Sequence, residues 1–328
     1  MYEITLFATP SSMVDEETLR TAVGEPVRFT LAPERSLRYG RLEPDALADL
    51  CAAAAHADAI VFRVGQVPRE VIEAAPNLKI VAVHGVGTSA VAVPAATERG
   101  VYVTVAPGAN ATSVAEYVMS VSLLARRRLD RAAAMLKSAT WQETRAEGSE
   151  LFGKRMGIVG FGAIGSRVSS LACAFGMEVL VAAHPTLQDC PYPSVPLPEL
   201  ARSVDYLVVA LPFRPTTRGL ISAEILGLMR PTAVIVNISR GEIIDEAALV
   251  KSLDEHRLAV ACLDVFAQEP LPPGHPLPHH PRVFATPHIA GATNEALARI
   301  ARMLGEDIRR VFHRERPLHA ANAPAGRP

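Results

Sequence analysis

The chain reads as an α/β protein built on two parallel sheets. Three observations predict this: short β-branched runs alternate with helical patterns, the alternation occurs in two separate stretches, and in the second a glycine-rich turn joins a strand to a helix. In the first stretch the apolar runs place strands at residues 4–7, 59–63, 79–83 and 101–105, with helices near 45–55 and 69–74. In the second they place six strands, at residues 156–159, 178–182, 206–211, 233–238, 258–263 and 283–285. An Ala- and Leu-rich segment without Pro or Gly, about 113–136, predicts one linking helix. Its run Val118 to Leu124 is apolar all round, which suits either a core helix or an oligomer interface. A last helix is expected over 294–312, and a Pro- and Ala-rich tail over 320–328 is expected to fray.

Composition narrows the function classes. At about 150 residues per domain, 328 residues suggest two domains. Lys and Arg total 33 against 34 Asp and Glu, so no field favours nucleic acid or an acidic membrane, and the expected partner is a small molecule. With 49% hydrophobic and 20% charged residues the chain is expected to fold. Cys51, Cys173, Cys190 and Cys262 lie far apart with no metal-type spacing, which fits a reducing compartment. The N-terminus shows neither a basic region nor a long apolar stretch. We therefore expect no signal peptide and no membrane anchor, and a cytoplasmic location.

Gly160-Phe161-Gly162-Ala163-Ile164-Gly165 follows one expected strand and opens a helical pattern. That context makes G-x-G-x-x-G a dinucleotide turn: Gly160 permits the tight bend, Gly162 lets a pyrophosphate approach, and Gly165 lets helix and strand pack closely. Free N–H groups at the helix start, Ala163 and Ile164, face the phosphates. Six strands is the count of a complete Rossmann sheet.

Three segments fall at the carboxyl ends of later strands, where open α/β sheets place ligands. They are Asn237-Ile238-Ser239-Arg240-Gly241, then Asp264-Val265-Phe266 leading to Gln268-Glu269-Pro270, then Thr286-Pro287-His288-Ile289-Ala290-Gly291. An Arg, a Glu and a His suit chemistry on a 2-keto or 2-hydroxy acid. The guanidinium holds a carboxylate and polarises the keto oxygen, the imidazole moves the hydroxyl proton, and a carboxylate behind an imidazole fixes its tautomer. Trp141 is expected to be a packing residue, and His275, His279 and His280 a solvent loop without metal. His84, beside Gly85, is either a core residue or a neighbour of substrate.

With these segments in order the chain resembles the D-isomer-specific 2-hydroxyacid dehydrogenases. The resemblance runs from about Ala59 to Asn322, through Leu78-Lys79-Ile80, Gly85-Val86-Gly87, Pro107-Gly108-Ala109-Asn110 and Ser113-Val114-Ala115-Glu116. It implies that Arg240, Glu269 and His288 are catalytic, that Asp264 holds the nicotinamide carboxamide, and that the Val86-Gly87 backbone takes the substrate carboxylate. It also implies a Rossmann domain (105–289) inserted into a smaller flavodoxin-like α/β substrate domain (1–104 and 290–328), with crossings near Val105 and Ile289, and a homodimer.

The chain departs from the pattern in places. Ser89-Ala90-Val91-Ala92 replaces an Asp-Asn-x-Asp type run, and Val83 stands where relatives acting on phosphorylated acids often carry Arg or Lys. Arg63 matches a phosphate-contacting position of phosphoglycerate dehydrogenases. One cation is a thin basis for holding a dianion, so the expectation is reduction of glyoxylate or hydroxypyruvate. The alternatives are phosphoglycerate dehydrogenase activity, a dinucleotide-sensing corepressor, and formate or phosphite oxidation. The chain ends soon after Asn322, so no regulatory extension is expected. NAD(P)(H) is the expected cofactor. Ala183, with His184 next to it, stands where NAD-dependent relatives place an Asp, which tips the expectation modestly toward NADP(H).

Overall fold

The computed structural model describes residues 1–9, 14–37, 42–137, 148–185, 187 and 190–324. Trp141 and the end of the tail lie outside the described residues. Two compact units divide the chain, Met1–Asn110 with Ala292–Pro328, and Ala111–Gly291. The resemblance implied crossings near Val105 and Ile289. Val105 N–H bonds His319 O at 3.1 Å and Ala106 N–H bonds Gly85 O at 2.7 Å, which tie this stretch to the first unit.

Among the described residues the first unit has five parallel strands, β1 (Tyr2–Phe7), β2 (Val27–Leu31), β3 (Ala59–Phe62), β4 (Ile80–Val83) and β5 (Tyr102–Thr104). They lie in the order β2-β1-β3-β4-β5, the flavodoxin-like arrangement. Alternate residues feed opposite faces. Ile60, Phe62, Val81 and Val83 pack on the helices Pro44–Ala54, Arg69–Ala74 and Val93–Glu98. Ile4, Leu6, Val61 and Ile80 pack on Glu16–Val23 and Asn294–Phe312. Helices on both faces leave β3 and β4 buried at every residue, hence their unbroken apolar runs. β2 was not expected. It is an edge strand on which only Val27 is buried, so Arg28 and Thr30 interrupt the apolar signal.

Among its described residues the second unit has seven parallel strands where six were expected: β6 (Arg155–Val159), β7 (Glu178–Ala182), β8 (Ser194–Val195), β9 (Tyr206–Val209), β10 (Val234–Asn237), β11 (Val260–Leu263) and β12 (Val283–Ala285). The extra one, β8, is a two-residue edge paired to β7, too short to show a period. The order β12-β11-β10-β9-β6-β7-β8 reverses direction between β6 and β9, the switch point of a Rossmann sheet.

The single linking helix expected over 113–136 is two, Ala111–Arg127 and Leu129–Lys137. Arg128 between them has φ 48°. The carbonyl of Arg126, in the last turn of the first helix, accepts Ser149 N–H at 3.1 Å. Val118, Met119 and Val121 of the first helix pack in the core with Met156, Ile158 and Val236.

Candidate active site

The glycine turn lies at the switch point. Gly160 has φ 104°, and a side-chain carbon there would stand 2.6 Å from the backbone of Leu211, just past β9. Only glycine fits so close to the neighbouring strand end. Gly165 stands just as near the turn, since a Cβ on it would lie 2.1 Å from Gly160 O. Gly162 is the N-cap of helix Ala163–Ala174, no side chain caps that end, and a Cβ on it would meet nothing within 4 Å. Ala163 is exposed and Ile164 half-buried in the first turn. The positive end of a twelve-residue helix thus faces open space, which suits a dinucleotide pyrophosphate. Ala183 follows β7, with its N–H on Val195 O at 2.8 Å. Both it and His184 are exposed, and neither is an acid.

β10 delivers Arg240. Buried Asn237 closes the turn after the strand: its Oδ1 accepts Ser239 N–H at 3.1 Å, and its Nδ2 donates to Arg240 O at 3.0 Å. Arg240 is half-buried, with Nη1 on Ser239 O at 2.8 Å. A Cβ on Gly241 would lie 1.8 Å from Phe266 C, so the turn packs directly on the segment leading to Glu269.

Glu269 and His288 meet. Nδ1 of His288 lies 2.7 Å from Oε2 of Glu269, whose Oε1 accepts Phe266 N–H at 2.9 Å. Burial raises the Glu269 carboxyl, but the bond and charge of His288, the Phe266 N–H and the Arg240 charge outweigh it and hold the group below its ordinary value. An ionised carboxylate only accepts, so Nδ1 carries the proton and donates, leaving Nε2 for a reactant. The His288 side chain is half exposed. Its φ is 55°, a left-handed conformation uncommon outside glycine.

Asp264, the expected carboxamide ligand, is 1% exposed and braces this turn. Its Oδ1 accepts from Thr286 Oγ1 at 2.6 Å and Ile289 N at 2.8 Å, and its Oδ2 from Ala290 N at 2.8 Å. Sequence reasoning missed Tyr117, whose hydroxyl lies 2.5 Å from Thr286 Oγ1. The available signal was a tyrosine in an apolar helix, since a buried phenol usually finds a partner. His275 and His280 each face a separate carboxylate, Glu246 at 3.6 Å and Asp254 at 3.2 Å.

The first unit carries Arg63, His84, Val86 and Gly87 at the carboxyl ends of β3 and β4. Arg63 Nη1 donates to His84 Nδ1 at 2.7 Å. His84 is buried, and its Nε2 has no partner among the described residues. Burial and the Arg63 charge push its pKa down to about 3, so the ring is neutral. Val86 is 56% exposed and Gly87 half-buried.

A Rossmann sheet with an open glycine turn and a His–Glu pair beside an arginine defines a dinucleotide-dependent oxidoreductase class. The comparisons agree: residues 119–290 match the family model described as D-isomer specific 2-hydroxyacid dehydrogenase, NAD binding domain. The chain belongs to the D-isomer-specific 2-hydroxyacid dehydrogenase family. It is 38% identical over 275 residues to the D-3-phosphoglycerate dehydrogenase of Methanocaldococcus jannaschii, covering 82% of this chain and 52% of that one. To the glyoxylate reductase of Aeropyrum pernix it is 37% identical over 284 residues, covering 82% and 84%. The crystal structure of an NADPH-dependent glyoxylate/hydroxypyruvate reductase from Sinorhizobium meliloti superposes with a TM-score of 0.84 at 26% identity, covering 100% of both chains. The chain spans about half the length of the curated phosphoglycerate dehydrogenases it matches. No helix among the described residues is long and apolar enough to cross a membrane.

Proposed function

We propose that this chain reduces a small unphosphorylated 2-keto acid, glyoxylate or hydroxypyruvate, to the D-2-hydroxy acid at the expense of NAD(P)H. The observation that carries the reading is the 2.7 Å His288–Glu269 bond beside the Arg240 turn. A bound NAD(P)H would supply the hydride that C2 receives. With its Nδ1–H held by the Glu269 carboxylate, the imidazolium form of His288 gives its Nε2 proton to the keto oxygen and is left as the neutral Nδ1–H tautomer. Arg240 binds the carboxylate and polarises the keto group. On the first unit, the family resemblance assigns the Val86-Gly87 backbone and Arg63 to substrate binding. On the second unit, the glycine turn of Gly160, Gly162 and Gly165 with the N–H groups of Ala163 and Ile164 would hold the pyrophosphate of a bound dinucleotide, Ala183 and His184 would meet its adenosine ribose, and Asp264 would hold its carboxamide.

Four free cysteines support a reducing, cytoplasmic location. Exposed Leu129, Leu136, Phe152 and Phe175 on the second unit support a homodimer. A phosphorylated substrate is the second reading, favoured by Arg63 and by the names of the phosphoglycerate dehydrogenase relatives. Against it, one Arg63 nitrogen is held by His84, and Val83 adds no cation. The test is oxidation of NADPH and NADH with glyoxylate, hydroxypyruvate and 3-phosphohydroxypyruvate. Turnover of the first two is expected. Preference for the phosphorylated acid would favour the second reading, and inertness toward all three would favour a dinucleotide sensor.

A further inference from the structure

We propose that Tyr117 is a positioning residue for His288, acting through Thr286 and Asp264. The inference rests on the reading that His288 moves the substrate proton. Thr286 has one hydroxyl proton, and it goes to Asp264 Oδ1 at 2.6 Å. The 2.5 Å contact between Tyr117 and Thr286 must therefore be a donation from the phenol. The order is Tyr117 O–H to Thr286 Oγ1, then Thr286 O–H to the Asp264 carboxylate. Burial raises the Tyr117 pKa, so the phenol keeps the proton this chain needs.

Asp264 turns that chain into geometry. Its side chain accepts the N–H groups of Ile289 and Ala290, the two residues after His288, each at 2.8 Å. Its own carbonyl accepts the N–H of His288, also at 2.8 Å. One buried residue thus brackets His288 on both sides and holds it at φ 55°. Burial pushes the Asp264 carboxyl up, and the Thr286, Ala290 and Ile289 hydrogen bonds oppose that. Ionised, the carboxylate accepts from all three donors. A phenol that polarises the Thr286 hydroxyl strengthens the bond Thr286 gives, because hydrogen bonds in a chain reinforce one another. Tyr117 lies on helix Ala111–Arg127, so the turn carrying His288 is referenced to a core helix and not only to its own loop.

The test uses the full chain and the variants Tyr117→Phe, Thr286→Val, Thr286→Ser, the Tyr117→Phe/Thr286→Val double, and His288→Ala. Glyoxylate and hydroxypyruvate reduction by NADPH gives kcat and KM, and fluorescence titration gives the NADPH Kd. Tyr117→Phe is expected to lower kcat by about three- to tenfold, an estimate from the weakening of one hydrogen bond, with Kd unchanged. Thr286→Val is expected to lose more, and Thr286→Ser to recover most of it. The double variant is expected to be no worse than Thr286→Val, because Tyr117 acts only through Thr286. Wild-type kcat in Tyr117→Phe, or losses that multiply in the double, would overturn the inference. Should His288→Ala keep near-normal kcat, or the wild type reduce neither acid, the functional reading falls and this one with it. A collapse of His288→Ala beside an unaffected Tyr117→Phe would sink this inference alone.

Discussion

Glu269 accepts a hydrogen bond at each carboxylate oxygen, from His288 Nδ1 at 2.7 Å and from Phe266 N at 2.9 Å. A glutamine amide accepts on one oxygen only, so Glu269→Gln cannot reproduce both bonds. Glu269 is held below its ordinary value, and a depressed acid is ionised above its folded pKa. The wild type should therefore keep the His288 bond on acidification until below about pH 4.3, the usual glutamate value. Glu269→Gln should lower kcat at neutral pH and show no acid limb from this group, while His288→Ala should lower kcat by roughly 10²–10⁴-fold. The pH dependence of kcat for glyoxylate reduction checks both. A Glu269→Gln profile superimposable on the wild type would rule the pairing out.

The strands buried on both faces were legible because a covered parallel sheet demands contiguous apolar residues, as in Ile80–Val83 or Val234–Asn237. The edge strands β2 and β8 were not. On one, Arg28 is exposed and Thr30 only half-buried, and the other is two residues long. The break at Arg128 left no mark in the sequence pattern, since neither Pro nor Gly stands near it. Arg240, Glu269 and His288 stood out because each follows the end of an apolar strand run. Tyr117 did not, because its partner is 169 residues further on and its neighbours, Val118 and Met119, read only as part of an apolar helix suited to a core or an interface.

The Arg63–His84 pair makes stability depend on pH. His84 has a folded pKa of about 3, below its unfolded 6.5, so the unfolded chain binds the extra proton between those values. The stability contributed by the neutral ring is complete above about pH 6.5 and is lost as pH falls below it. Between pH 7 and pH 5 this one group should cost roughly 2 kcal/mol. Urea unfolding of wild type and His84→Gln at the two pH values checks it. The variant should lose less on acidification, and equal losses would place His84 outside the effect.

The last prediction concerns cofactor choice. β7 ends at Ala182, and the exposed Ala183 and His184 that follow offer no carboxylate. In Rossmann sheets an acid near this point binds the ribose hydroxyls of NAD, and its charge repels a 2′-phosphate. Without it the main barrier to NADP is missing, although a neutral imidazole offers one donor where a guanidinium offers five. NADPH should therefore bind only modestly tighter than NADH. Ala183→Asp should reverse the order, because it adds a charge-assisted ribose bond and like-charge repulsion together. A hydrogen bond to a charged group contributes about 1.5–3 kcal/mol, so the Kd ratio should move roughly 10–100-fold toward NADH. Fluorescence titration of wild type and variant with each reduced cofactor measures that ratio without relying on turnover. A wild type that already binds NADH far more tightly would show that another group does the work of the missing acid.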